Sequence, residues 1–158
     1  MRVYIADESP AVRSRVVRLL TEYEDVRVVG QTGDATQAVM DIRRLRPEVV
    51  ILAIHMYMGN GIEVLKAVRH EQPAAVIIIM TNSAYPQYRR ECLSAGANYF
   101  LDKSIEFEKI NPIIDRLQQV RRTRQGHSNQ NHTDEQRHTD QRLAAGPSAS
   151  TRKKWNAW

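Results

Sequence analysis

Val49-Val50-Ile51-Leu52-Ala53-Ile54-His55 is the stretch that decides the fold. Five of its first six residues are β-branched or leucine, and Pro47-Glu48 stops whatever precedes it. An apolar run this short, bounded by a helix breaker, reads as a fully buried parallel strand. A strand buried on both faces needs a helix layer on each side, and segments of helical periodicity flank this one in the chain. In open α/β sheets, chemistry gathers at the carboxyl ends of the strands. Ala53 and His55 are therefore expected at the mouth of any site the domain carries.

Working outward, Arg2–Ala6 reads as strand one. Ser9 follows as an N-cap with Pro10 at the first helical position, and Val12, Val16, Leu19 and Leu20 give helix one an apolar face. Val26–Gln31 is strand two. Asp34 caps helix two, whose expected buried face is Ala38, Met40, Ile42 and Leu45, with Pro47 ending it. Beyond the central stretch, Gly59-Asn60-Gly61 reads as a turn, and Ile62, Leu65 and Val68 mark helix three, stopped by Pro73. Ala75–Met80 is a second fully buried strand. Tyr85-Pro86 opens helix four, which closes at Ala95-Gly96, and Asn98–Leu101 is strand five. Asn111-Pro112 reads as cap and first position of a last helix facing the sheet with Ile113, Ile114, Leu117 and Val120. Five strands alternating with five helices demand right-handed crossovers and a parallel sheet between two helix layers.

Composition bounds the function. The 158 residues hold one cysteine, Cys92, which excludes an internal disulfide and points to a reducing cytoplasm. No apolar run approaches the ~18 residues of a membrane span, and the opening Met1–Asp7 is a strand, too short in apolar residues for a signal peptide. The net charge of +5 is unevenly placed: residues 1–120 hold 15 basic and 15 acidic residues, and residues 121–158 hold 8 and 3. The basic character belongs to the tail, which weakens a nucleic-acid reading of the folded part. From Thr123 onward Gln, Asn, His, Thr, Ser and Arg dominate, with Leu143 the only large aliphatic residue. Such a tail, 123–158, is expected to be disordered. Its basic residues, Arg121-Arg122-Thr123-Arg124, Arg137 and Arg152-Lys153-Lys154, are interspersed with acids, so a solvated linker is favoured over a nucleic-acid arm. It has no helical periodicity for a helix-turn-helix output domain.

The strand ends carry the chemistry. Asp7-Glu8 follows strand one, Ala53 and His55 end strand three, Thr81 ends strand four and Lys103 follows strand five. Carboxylates can hold a hard divalent cation, while a hydroxyl and a lysine take phosphoryl oxygens. Singly each is ordinary: an acid pair after a strand is commonly solvated charge beside a helix dipole, and a threonine there is commonly a cap. Their force lies in falling at successive strand ends.

These residues make the chain resemble the receiver domain of two-component response regulators over residues 1–122. The resemblance is carried by Asp7-Glu8-Ser9-Pro10, the strand ending at Ala53, Gly59-Asn60-Gly61-Ile62-Glu63-Val64-Leu65, Met80-Thr81-Asn82, Ala95-Gly96-Ala97-Asn98-Tyr99-Phe100 and Asp102-Lys103-Ser104. It implies a flavodoxin-like (βα)5 doubly wound sheet with strand order 2-1-3-4-5, for which this family is itself a standard example. It also implies a phosphoryl-accepting aspartate at the end of strand three. Mg2+ would be held by that aspartate, by the acids Asp7 and Glu8, and by the backbone carbonyl of His55. Thr81 and Lys103 would contact the phosphoryl oxygens, and Phe100 would be the aromatic that responds to phosphorylation.

The aspartate's position is occupied by Ala53. A methyl group can neither form an acyl phosphate nor ligate a metal. The expectation is a receiver fold without receiver phosphorylation, with weakened Mg2+ binding and with Lys103 leaning on Asp7 or Glu8. Either natural drift or a deliberate replacement would account for Ala53. Tyr57 stands where the family usually has proline, and a single designed change would leave its neighbours typical, which favours drift. Met56, Tyr57 and Met58 either fold over the emptied pocket or pack on helix three. His55 as a substitute phosphoacceptor is the weaker alternative, and Cys92 reads as core packing. The resulting expectation is a stand-alone, non-enzymatic, cytoplasmic signalling module. Its partners would be a sensor histidine kinase or another signalling protein, with a homodimer through the helix 4–strand 5–helix 5 face possible and no membrane bound; nucleic-acid binding through the basic tail is the less favoured alternative.

Overall fold

The computed structural model describes residues 1–125. Five strands form one parallel sheet: β1 (Arg2–Ala6), β2 (Arg27–Thr32), β3 (Val49–Leu52), β6 (Val76–Thr81) and β7 (Tyr99–Asp102). Their order is β2-β1-β3-β6-β7. This is the expected 2-1-3-4-5 order, renumbered because a two-stranded antiparallel ladder, β4 (His55–Met56) with β5 (Gly59–Asn60), intervenes. The helices are α1 (Pro10–Leu20), α2 (Ala35–Leu45), α3 (Gly61–Glu71), α4 (Pro86–Ser94) and α5, 110–125. Met1–Asp115 forms one compact unit, and a second begins at Arg116.

The sheet follows from its central strands. All four residues of β3 are buried, as are Ile77 through Thr81 of β6, so these strands have no solvent face. The edge strand β2 is only half-buried, which suits its mixed sequence Arg-Val-Val-Gly-Gln-Thr. The helices start where cap residues accept a backbone hydrogen bond. Ser9 takes Val12 N at 3.4 Å, Asp34 takes Gln37 N at 2.9 Å, and Asn60 takes Ile62 N at 2.7 Å. Arg46, in the left-handed conformation (φ 51°), closes α2 before Pro47.

Several expectations needed correction. On α2 the buried residues are Ala35, Ala38 and Ile42, whereas Met40 is 58% exposed. Ala38 and Met40 are two residues apart and so cannot share a helix face. The central strand ends at Leu52, and His55 belongs to the small ladder. Gly59-Asn60-Gly61 is no free turn: Gly59 and Asn60 pair with Met56 and His55, and Gly61 begins α3. The last helix starts before Asn111, because a 3-10 turn at Phe107–Lys109 runs straight into residue 110. Pro112 fits in the first turn, where backbone N–H groups lack intrahelical acceptors. Ile113 and Ile114 are buried as expected, but Val120 is exposed. The helix also runs three residues past the expected boundary at 122, with Thr123 Oγ1 donating to Gln119 O at 3.0 Å. The rest of the expected disordered tail, including the Arg152-Lys153-Lys154 cluster, lies outside the described residues.

Candidate functional site

The carboxyl ends of β1, β3, β6 and β7 define one edge of the sheet. Register aligns them: Ala6 pairs with Leu52, Leu52 with Ile79, and Thr81 with Asp102. One residue further, Ala53 N donates to Ala6 O at 2.8 Å and Lys103 N to Thr81 O at 3.0 Å. Asp7, residue 53, Thr81 and Lys103 are thus the first residues past four adjacent strands or the last residues on them. The backbone ladder gathers them before any side chain contributes.

The central contact is an ion pair. Lys103 Nζ lies 2.5 Å from Asp7 Oδ2, with the two side chains 10% and 4% exposed. Since β3 and β6 lie between β1 and β7, the lysine crosses the ends of both to reach Asp7. The other carboxylate oxygen, Oδ1, accepts from Ser9 N at 2.9 Å. Both oxygens of Asp7 are therefore engaged, and the Asp7 main chain is held too: Arg13 Nη1 donates to Asp7 O at 2.6 Å and to Glu8 O at 3.4 Å. Thr81 is buried, and its hydroxyl accepts from Ser83 N at 3.0 Å. Ala53 is buried among apolar residues.

The remaining predicted residues spread from this centre. The Glu8 side chain is exposed. His55 is also exposed, and its Nε2 lies 3.2 Å from Ser83 Oγ. Its ring stands edge-on to Tyr88 of α4, with centroids 6.4 Å apart. Phe100 is buried in β7, with the Arg89 guanidinium over its ring. The loop 56–58 is held by its backbone. Tyr57 N donates to Gly33 O at 2.9 Å and Tyr57 O accepts from Ala35 N at 2.8 Å, so the loop is stitched to the start of α2. Met56 is buried in the core, while Tyr57 and Met58 project into solvent. Met58 (φ 56°) and Gly59 (φ 152°) take the positive dihedrals that let the chain double back. Sequence reasoning missed Arg13, Ser83, Tyr88 and Arg89. Only Arg13 left a signal, lying one helical turn beyond the N-cap Ser9 and so on its face.

Asp7 is already paired with an ammonium, Glu8 points to solvent, and position 53 supplies no oxygen from its side chain. Among the described residues no cluster of three metal-ligating side chains occurs. The lysine takes the role of local cation, so the arrangement neutralises Asp7 internally. The polar side chains gathered at this edge are Asp7, Thr81 and Lys103, and position 53 contributes a methyl group.

The response regulator receiver domain model matches residues 3–115. The DNA-binding transcriptional activator EvgA of Escherichia coli is 31% identical over 114 residues, covering 72% of this chain and 54% of that protein. A protein-glutamate methylesterase/protein-glutamine glutaminase of Rhizobium etli is 39% identical over 80 residues, covering 51% of this chain and 23% of that one. The chain therefore spans about half or less of the length of these curated relatives. Among solved structures, the response regulator domain of Thermotoga maritima CheB superposes with a TM-score of 0.66 at 28% identity, covering 75% of this chain and 94% of that one. A two-component response regulator of the LuxR family from Aurantimonas gives 0.68 at 26% identity, covering 73% and 83%.

Proposed function

The chain belongs to the response regulator receiver domain family, and from that membership we propose a two-component receiver that acts by protein contact instead of accepting a phosphoryl group at position 53. The observation that carries this reading is Ala53 at the end of β3, with Lys103 committed to Asp7. An acyl phosphate needs a carboxylate oxygen to attack the donor phosphorus, and a methyl group has none. The module binds and does not catalyse. Its partners are a sensor histidine kinase or another cytoplasmic signalling protein, met through the α4–β7–α5 face. Magnesium affinity is weak, because Lys103 competes for Asp7 and the third carboxylate is missing. No helix among the described residues is long and apolar enough to cross a membrane.

Titration with beryllofluoride and magnesium, followed by amide NMR, tests the proposal. The native chain should show no saturable shifts at Thr81 or Lys103. The Ala53→Asp variant should show them, because the restored carboxylate supplies the missing oxygen ligand. Saturable shifts of equal size in the native chain would refute the reading.

A further inference from the structure

Arg89 of α4 lies over the ring of Phe100. Arg89 Cζ stands 4.8 Å from the Phe100 ring centroid, and Arg89 Nη1 donates to the Phe100 carbonyl oxygen at 3.3 Å. Arg89 Nη2 lies 3.7 Å from Glu106 Oε2. That carboxylate is held in place from two other directions, accepting from Asp102 N at 2.9 Å and from Lys109 Nζ at 2.7 Å. One planar guanidinium thus meets the ring, the backbone of the same residue and an anchored acid. A guanidinium can lie against an aromatic ring while donating hydrogen bonds from its fork; an ammonium keeps the charge but loses the fork.

The attachment matters because α4 is lightly anchored. Cys92 is its one buried residue, and its N-terminus at Tyr85 has no side-chain cap. The remaining ties to the sheet must come from its flanks, and Arg89 supplies one to β7. On its other side the Phe100 ring packs into the main core.

We infer that Arg89 is a positioning residue, a clamp that holds Phe100 in its inward rotamer and fixes α4 against β7. This deepens the contact-only reading: the face offered to a partner is set by an internal cation instead of by a phosphoryl group. The clamp needs no change at position 53 to operate.

Side-chain couplings that report the Phe100 χ1 populations, measured by NMR on the full chain without phosphodonor or magnesium, test the clamp. The native chain should hold one dominant rotamer. Arg89→Met keeps a long apolar stem but no charge, and should raise the minor-rotamer fraction about fivefold. Arg89→Lys should recover part of the loss, and Glu106→Gln, which removes only the charge beside the guanidinium, should loosen Phe100 less than Arg89→Met does. A dominant rotamer that persists in Arg89→Met, no recovery in Arg89→Lys, or equal loosening in Glu106→Gln would each overturn the inference. Arg89 is 45% exposed at its side chain, so these substitutions leave the core intact. With no phosphodonor in the sample, the result is independent of whether residue 53 can react.

Discussion

Position 53 and Lys103 have to be understood together. A lysine whose side chain is nine-tenths buried must find an anion, and Asp7, at 2.5 Å, is the carboxylate it reaches. Removing one partner of a buried pair leaves the other charged and desolvated, which costs far more than the pair itself contributes. Lys103→Met should therefore lower unfolding stability by about 3 kcal/mol at neutral pH. Adding Asp7→Asn should return most of that loss, and urea denaturation of the four members of the cycle measures both. If Lys103→Met proves neutral, the ion pair is not formed in solution. Ala53→Asp should act the other way, giving the ammonium a second carboxylate and raising magnesium affinity, as calorimetric titration would show. The roles of Asp7, Thr81 and Lys103 could be suspected from the sequence because each stands at a strand end. The engagement of Ser83 with His55 could not, since it depends on where two loops meet.

The elements of the sheet were legible because their patterns have a physical cause. Val49–Leu52 and Val76–Thr81 are apolar without alternation, and only a strand covered on both faces tolerates that. The β4–β5 ladder was not legible. Two-residue strands are too short to show a period, and their pairing rests on the left-handed turn at Met58 and Gly59. Helix boundaries near Asn111 failed for a related reason: proline marks the first turn of a helix, not one position within it. The junction between β3 and α3 gives the sharpest test at this scale. A Cβ on Gly61 would come within 1.8 Å of the Ala53 carbonyl oxygen, and Gly61 N already donates to Ile54 O at 2.7 Å. Gly61→Ala must push α3 off the sheet and should cost about 3 kcal/mol, read from the urea midpoint. A change below a few tenths of that would show that this approach is looser than the geometry says.

At the scale of the molecule, a sheet with two buried central strands makes one cooperative core, and its surface acids tune that core's acid stability. The Arg43 guanidinium, hydrogen-bonded to Glu71, and the Lys109 ammonium, hydrogen-bonded to Glu106, hold both carboxyls below their ordinary value of 4.5. Because the folded values are depressed, the stabilisation is complete above 4.5 and is lost as the pH falls through the lowered values. Glu71→Gln should accordingly lower the neutral plateau of a thermal stability profile slightly and leave its acid end unchanged, so that the acid limb flattens. Burial pushes the Cys92 thiol up to about 11, so it should resist alkylation until the whole domain unfolds, and its labelling rate should track global opening. The same core carries four strand ends to one edge, where position 53 is an alanine beside the Asp7–Lys103 pair. The most direct measurement is intact mass after incubation with acetyl phosphate and magnesium, with the native chain and Ala53→Asp treated side by side. The native chain should stay unmodified while Ala53→Asp gains one phosphoryl group; a hydroxylamine-labile phosphoryl adduct on the native chain would contradict the reading.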